Sequence, residues 1–341
     1  MKKRLWTLFA LALITILGVG AISAQDDSIT IGYAVMGMDH PLFQAMMEGV
    51  QTAADQLGVQ VNMVDATWNV DTQNAQLEDF IAQQVDAVLV NPVTATETVP
   101  TLERVREAGI PIIAIDTRPV GFEPDAFVTM NHYQGGYLIG WQVATDLNCT
   151  GRWAAIWAIG NEQAASRMRG FEAGLAENCR VRGLPNNFEK EGEYSGITGP
   201  IREVSRQIAE TLLIQYPSGE LAFIFGQTDE FANGAYLATQ AAGRSDVLIY
   251  GMDNNADMRQ FIRDGGNMVA TTAHLAKEVG AAAVQSAVNI INGEPYLPEV
   301  QLNFQLITQG NIMMDPGWEG SYSPSFSEFF FPEQLSVLLP Q

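Results

Sequence analysis

The sequence predicts an α/β protein made of two doubly wound lobes, each a parallel sheet covered by helices on both faces. Three observations carry this. Short apolar, β-branched runs recur along the chain, each followed by a longer segment of helical period. The beat runs for about four or five units, is interrupted near 127–134, and resumes for about as many. The length, 341 residues, exceeds what one core usually supports.

Strands are expected over 29–35, 59–64, 87–90, 110–115, 153–159, 221–225, 247–250 and 268–272, all near-continuous apolar runs of the kind buried on both faces. Between the first two, Phe43, Met46, Met47, Val50, Ala54 and Leu57 fall at helical spacing, and Gly58 stands where a helix ends. The same grammar recurs at Ala108-Gly109-Ile110-Pro111, where Gly stops a helix and Pro opens the next strand. No Gly/Ser-rich linker separates the halves, so short ordered crossings are expected. In open parallel sheets, ligands bind outside the carboxyl ends of the strands, and two lobes facing each other that way enclose a cleft.

The amino terminus reads as a secretory signal peptide over 1–24. Lys2, Lys3 and Arg4 form a positive start, Leu5 to Gly20 carry no charge, and Ile22-Ser23-Ala24 offers a small residue at the cut. A retained membrane anchor is the alternative, although the apolar run is short for a span. No later stretch approaches a span, so an exported, soluble mature protein is expected, in the periplasm or on an extracytoplasmic face. The formal charge is −21, and the leader holds three basic residues and no acidic one, so the mature chain is more acidic still. Such a chain repels phosphate backbones and anionic membrane surfaces, which argues against nucleic acid and leaves a neutral or cationic ligand or a protein partner. Two cysteines, Cys149 and Cys179, form an even count in an oxidising compartment, and each is placed in a short polar loop before a strand, with one helix between. That favours a disulfide; two buried thiols are the alternative.

The strand ends are rich in planar polar groups. They include Asp39-His40-Pro41-Leu42-Phe43, Asn91-Pro92, Asp116-Thr117-Arg118, Asn131, the Arg169 region, Tyr194, Gln227-Thr228-Asp229-Glu230, Gly251-Met252-Asp253-Asn254 and His274. Carboxylates, amides and guanidinium each engage two adjacent hydroxyls, and Phe43, Trp68 or Tyr194 offers an apolar face to a sugar ring. A polyhydroxylated neutral ligand suits both this inventory and the charge. Each residue also has a plainer reading: Asp116 and Asp253 as helix caps, Arg169 as half of a surface ion pair, Asp39 as a turn residue, Thr228 as an N-cap, Trp68 as core or rim.

In these motifs the chain resembles the periplasmic binding protein type 1 family, specifically the ribose- and galactose-type sugar-binding proteins of ABC importers. The carriers are Asp39-His40-Pro41-Leu42-Phe43, Val90-Asn91-Pro92, Ile113-Ala114-Ile115-Asp116, the Ala165-Ser166-Arg167-Met168-Arg169-Gly170-Phe171 stretch, Gly226-Gln227-Thr228-Asp229 and Gly251-Met252-Asp253, in an order that spans roughly 29–307. The resemblance implies first-lobe contacts at Asp39, His40, Phe43, Asn91 and Asp116, and second-lobe contacts at Asn131, Arg169, Tyr194, Thr228, Asp253 and His274. It also implies three hinge crossings near 129–131, 272–275 and 303–306. The first lobe would then comprise 28–130 and 275–303, and the second 131–274 and 304–310. Where ribose-type proteins carry Asn before the Pro, this chain has His40. Leu42 replaces an aromatic, Arg118 is displaced from Asp116 by Thr117, Thr228 replaces Asn and His274 replaces Gln. These departures set ribose itself in question and leave the class in place. The tail over 311–341, with Trp318, Tyr322 and Phe329-Phe330-Phe331, exceeds the family core and is expected to be an irregular surface strap.

The expected function is capture of a small neutral sugar by hinge closure and delivery to an ABC transporter permease, by a monomer without a cofactor or metal. A competing reading is a sensor or uptake binder of another small polar ligand, such as an autoinducer, nucleoside or polyol. An enzyme has weaker support: G-x-S-x-G, H-E-x-x-H, the P-loop, G-x-G-x-x-G and C-x-x-C are all absent after the leader, and three scattered His make a poor metal site. A transcription regulator of this fold would need a basic helix-turn-helix before the first strand, where only the leader and a few polar residues stand.

Overall fold

The structure, a computed structural model, describes residues 28–195 and 200–318. The leader, Tyr322 and the Phe329-Phe330-Phe331 run lie outside these residues. The chain begins with β1 (Thr30–Val35), α1 (Pro41–Leu57), β2 (Gln60–Asp65), α2 (Val70–Gln83), β3 (Ala87–Val90), α3 (Val99–Glu107), β4 (Ile112–Ile115) and β5 (Ala126–Met130). It crosses over into α4 (His132–Asp146), β6 (Thr150–Trp157), α5 (Glu162–Val181), β7 (Asn187–Ser195), α6 (Ile201–Gln215), β8 (Phe223–Gly226), α7 (Asp229–Ala242), β9 (Leu248–Tyr250), α8 (Ala256–Asp264) and β10 (Met268–Ala273). It then crosses back for α9 (Ala276–Asn292) and β11 (Glu299–Leu302), and a third time for β12 (Gln305–Thr308).

Two six-stranded sheets result, ordered β11-β5-β4-β3-β1-β2 and β12-β10-β9-β8-β6-β7. Every pairing in them is parallel except β10 with β12. In the first lobe, Met46 and Val50 of α1 and Val279 and Ala283 of α9 cover one face, while Leu77 and Phe80 of α2 and Leu102 and Val105 of α3 cover the other. In the second, α4 and α5 cover one face, and α6, α7 and α8 the other.

Local chemistry sets the ends. Pro41 opens α1 with its φ already helical, the His40 ring accepts from the Leu42 amide, and Gly58 closes the helix at φ 68°. Asn69, Asn161 and Asn255 cap α2, α5 and α8 with their side-chain oxygens.

Glycine governs how the helices pair. A Cβ on Gly136 of α4 would lie 1.9 Å from the Arg167 carbonyl oxygen on α5, and one on Gly170 of α5 would lie 1.9 Å from the Tyr133 oxygen on α4. Gly140 and Gly174 continue the contact. Gly49 of α1 and Gly280 of α9 do the same in the first lobe, against Lys277 and Met46. Each lobe is thereby built on a helix pair whose backbones touch.

Several sequence expectations need correction. The interruption near 127–134 does not exist: those residues are β5, fully buried, and the first turn of α4. The expected strand after Cys179 begins at Asn187, because α5 continues through Val181. Cys179 therefore sits in the last helical turn rather than in a loop. It is bonded to Cys149, with a Cα separation of 5.7 Å, and both are buried.

The first and third crossings are stitched together. The Asn131 amide N–H donates to the Leu302 carbonyl (2.7 Å), the Gln134 side-chain amide donates to the Phe304 carbonyl (3.3 Å), and the Gln134 side-chain oxygen accepts from the Phe304 N–H (2.9 Å).

Candidate binding site

The carboxyl ends of the two sheets face each other across a cavity of about 240 Å³. Leu42 and Asp116 line it from the first lobe. His132 and His274 line it at the first two crossings, and Asn161, Gln163, Arg167, Gln227, Thr228 and Asp253 line it from the second lobe.

Arg167 organises the second-lobe wall. Its Nη2 pairs with Asp253 Oδ1 at 2.8 Å, Nη1 donates to the Gln227 carbonyl at 3.0 Å, and Nε donates to His132 Nδ1 at 3.2 Å. The side chain is 7% exposed and Asp253 20%. A buried charge needs such partners, and the forked guanidinium satisfies three of them at once. Behind Asp253, Asp229 accepts from the Asn255 amide (2.7 Å) and the Thr271 hydroxyl (2.8 Å); burial, with the Asp253 charge adding to it, pushes its carboxyl well above the usual range.

Asp116 stands alone on the opposite wall. Burial raises its pKa, but the nearby His274, His132 and Arg167 outweigh that and bring it below the ordinary value. His274 Nε2 lies 4.0 Å from Asp116 Oδ1. Asp116 and Asp253 both hold positive φ, at 63° and 113°, which is uncommon for residues other than glycine and concentrates at functional sites. Neither caps a helix: no helix directly follows Asp116, and Asn255 caps α8. The Gln163 amide donates to the Asp116 carbonyl across the cleft, so the lobes are closed on each other.

Since His132 Nδ1 accepts from Arg167, the neutral ring carries its proton on Nε2. That Nε2 and both His274 nitrogens are buried without a protein hydrogen-bond partner, so the cavity presents polar atoms that a ligand would satisfy. Burial, reinforced by Arg167, lowers the His132 pKa from 6.5 to about 3, although Asp116 pulls the other way. The unfolded chain takes up a proton at this ring near pH 6.5 that the folded chain refuses until about 3. Stability is therefore highest above pH 6.5 and falls as the pH drops through that window. Urea titrations across the window should show this fall, and a shallower one in His132→Gln; identical slopes would remove His132 as its source.

Of the residues singled out in the sequence, Asp116, Thr228, Asp253 and His274 line the cavity. Thr228 occupies the N-cap position of α7 but makes no side-chain cap bond. Next to Leu42, His40, Phe43 and Trp68 form an aromatic cluster with ring separations of 5.6–6.2 Å, and Trp68 Nε1 donates to Asp39 at 2.7 Å. The rest are spent elsewhere. Asn91 is fully buried, accepting from Tyr33 and donating to the Ile115 carbonyl. Arg118 pairs with Glu123 and Glu299. Asn131 caps α4 and donates to Asn303. Tyr194 packs from the edge strand β7 onto the second-lobe core.

Arg169 lies outside the cavity: its side chain is 57% exposed and pairs with Glu162, while Arg167, two residues earlier, lines the cavity. The helical period gave the signal: Ala164, Met168, Phe171 and Leu175 define the buried face of α5, and Arg167 lies on it. His132 fell inside the stretch read as an interruption, which hid it. Trp318 is the second surprise: it is half-buried, packs against the core and donates Nε1 to the Asp253 carbonyl at 2.8 Å.

Residues 31–295 match the periplasmic binding protein domain family. The chain belongs to the periplasmic binding protein family. Among its relatives, the ribose import binding protein RbsB of Escherichia coli is 26% identical over 312 residues, covering 91% of this chain and 99% of its own. That of Haemophilus influenzae is 28% identical over 313 residues, covering 91% and 100%. An ABC transporter solute-binding protein from Bacillus halodurans, solved with bound myo-inositol, superposes with a TM-score of 0.71 at 28% identity, covering 84% of this chain and 96% of its own. These are solute-binding proteins, so this binding protein is not an enzyme. In the binding protein, no helix among the described residues is long and apolar enough to cross a membrane.

Proposed function

We propose that the protein captures a small neutral polyhydroxylated solute, a sugar or a polyol of similar size, between its lobes and presents the closed form to the permease of an ABC importer. The observation that carries this is the opposition of Asp116 on one wall to the Arg167–Asp253 pair on the other, across a cavity of about 240 Å³. The Arg167 charge is already matched by Asp253, which leaves the carboxylate of Asp116 and the imidazole of His132, which burial keeps neutral. Adjacent hydroxyls donate to a carboxylate and accept from N–H groups, so a polyol meets both walls without carrying charge. The relatives support the class: ribose is named for the curated proteins, and myo-inositol is bound in the Bacillus halodurans structure.

The lobes divide at 130/131, 274/275 and 303/304 in this reading, and closure about those three crossings is the working motion. A ligand that touches both walls interacts fully only with the closed form and shifts the population toward it. Export behind a cleaved leader and action as a monomer complete the proposal.

The test is a thermal-shift screen of residues 25 onward against pentoses, hexoses, cyclitols, nucleosides and amino acids. A solute present at a hundredfold over its dissociation constant adds about 2.7 kcal/mol, a clear rise in melting temperature. A rise confined to sugars or cyclitols is expected. Silence there, with a response to amino acids or nucleosides, would keep the fold and overturn the ligand class.

A further inference from the structure

The chain does not end with the last strand of the second lobe. After β12 it makes a short 3-10 turn (Ile312–Met314) and runs toward the cleft. Asp315 anchors this run: its side chain is fully buried, both oxygens accept from Asn254 Nδ2 at 2.9 and 3.0 Å, and Arg259 lies 4.0 Å away. Gly317, at φ 65°, turns the backbone so closely over the Arg259 guanidinium that a Cβ there would overlap it.

The next residue is Trp318. Its indole N–H donates to the carbonyl oxygen of Asp253, the residue whose carboxylate holds Arg167 in the cavity. Its ring centroid lies 6.4 Å from that of His40, on the other lobe. His40 is packed with Phe43 and Trp68, so Trp318 extends a first-lobe aromatic cluster with a ring delivered from the second lobe. One side chain thus ties the backbone beside the ligand site to the opposite wall.

The geometry points to Trp318 as a closure-determining residue: the segment over 309–318 is a latch that stabilises the closed form from the second lobe, independently of the solute. Asp315 and Gly317 fix the segment on its own lobe, so the ring is presented to His40 ready-placed and little conformational freedom is lost when the lobes meet. Opening breaks the His40 contact while leaving the Asp315 anchor in place. The latch rests on closure of the two lobes and not on the identity of the ligand.

The experiment uses the ligand-free protein with one spin label on each lobe, at exposed Glu103 and exposed Thr211, and compares the interlabel distance distributions of wild type, Trp318→Ala and Trp318→Phe. Loss of the half-buried ring contact across the lobes should lower the ratio of closed to open molecules roughly tenfold in Trp318→Ala. Trp318→Phe keeps a ring and loses the donor, so its distribution should fall between the two, and it carries the test if the alanine variant fails to fold. Distributions that superimpose across wild type and the folded variants would overturn the latch. No solute is added, so a screen silent for every sugar and cyclitol, with a tenfold shift here, would remove the ligand class and leave the latch standing.

Discussion

Replacing Arg167 by methionine should weaken solute binding by more than about a hundredfold and lower folding stability by about 3–5 kcal/mol, because it leaves part-buried Asp253 without its counter-charge. The same change frees the Gln227 carbonyl and His132 Nδ1, both of which Arg167 now satisfies. Arg169→Ala removes a pair in which both side chains are more than half exposed, so both quantities should stay close to wild type, within about 0.5 kcal/mol. Chemical denaturation and titration calorimetry on the two variants settle the matter. If the Arg169 variant loses binding and the Arg167 variant keeps it, the assignment of the second-lobe wall is wrong.

The second large effect is expected where two helix backbones touch. Gly136→Val places a branched side chain where the Arg167 carbonyl of α5 stands 1.9 Å from the position of a Cβ, and backbone on both sides leaves nothing flexible to yield. Helices α4 and α5 must separate, at about 3–5 kcal/mol. The carbonyl belongs to Arg167 itself, so the guanidinium moves with it and affinity should fall as well. Gly49→Val in the first lobe meets the Lys277 carbonyl at the same 1.9 Å. It should cost comparable stability while the surviving folded protein binds normally. Unchanged affinity in both variants would show that the helix pairing acts on stability alone.

What the sequence disclosed follows from what each element buries. Strands β1, β3, β4, β8 and β10 are buried along almost their whole length, and their apolar runs are plain in the sequence. The edge strand β7, Asn-Phe-Glu-Lys-Glu-Gly-Glu-Tyr-Ser, buries almost nothing and carries charges on both sides, so no hydrophobic period marks it. The short strands β11 and β12 are half exposed for the same reason.

Of the cavity lining, Asp116 and Asp253 were legible, each an acidic residue that closely follows an apolar strand. On α5, two arginines two residues apart differ only in the face they occupy, which the sequence reading did not separate. Asn91 shows a different use of a polar residue at a strand end: it spends its hydrogen bonds holding Tyr33 and the Ile115 carbonyl. Which neighbour consumes a polar group is a property of tertiary packing. Trp318 lay beyond any periodic pattern, and only the fold brings it to Asp253.

The return of the chain to its first sheet has a consequence for how the molecule is made. The helix that packs on α1 and the strand that flanks β5 are α9 and β11, which lie beyond residue 275. A polypeptide growing from its amino terminus cannot complete the first sheet until nearly the whole sequence has been synthesised, whereas the strands from β6 to β10 are contiguous. The late contacts are also the ones of greatest sequence separation, which places them among the slowest to form. A fragment stopped after β5 would lack a partner for α1 and for one edge of its sheet, so the first lobe is completed only after the second has been made.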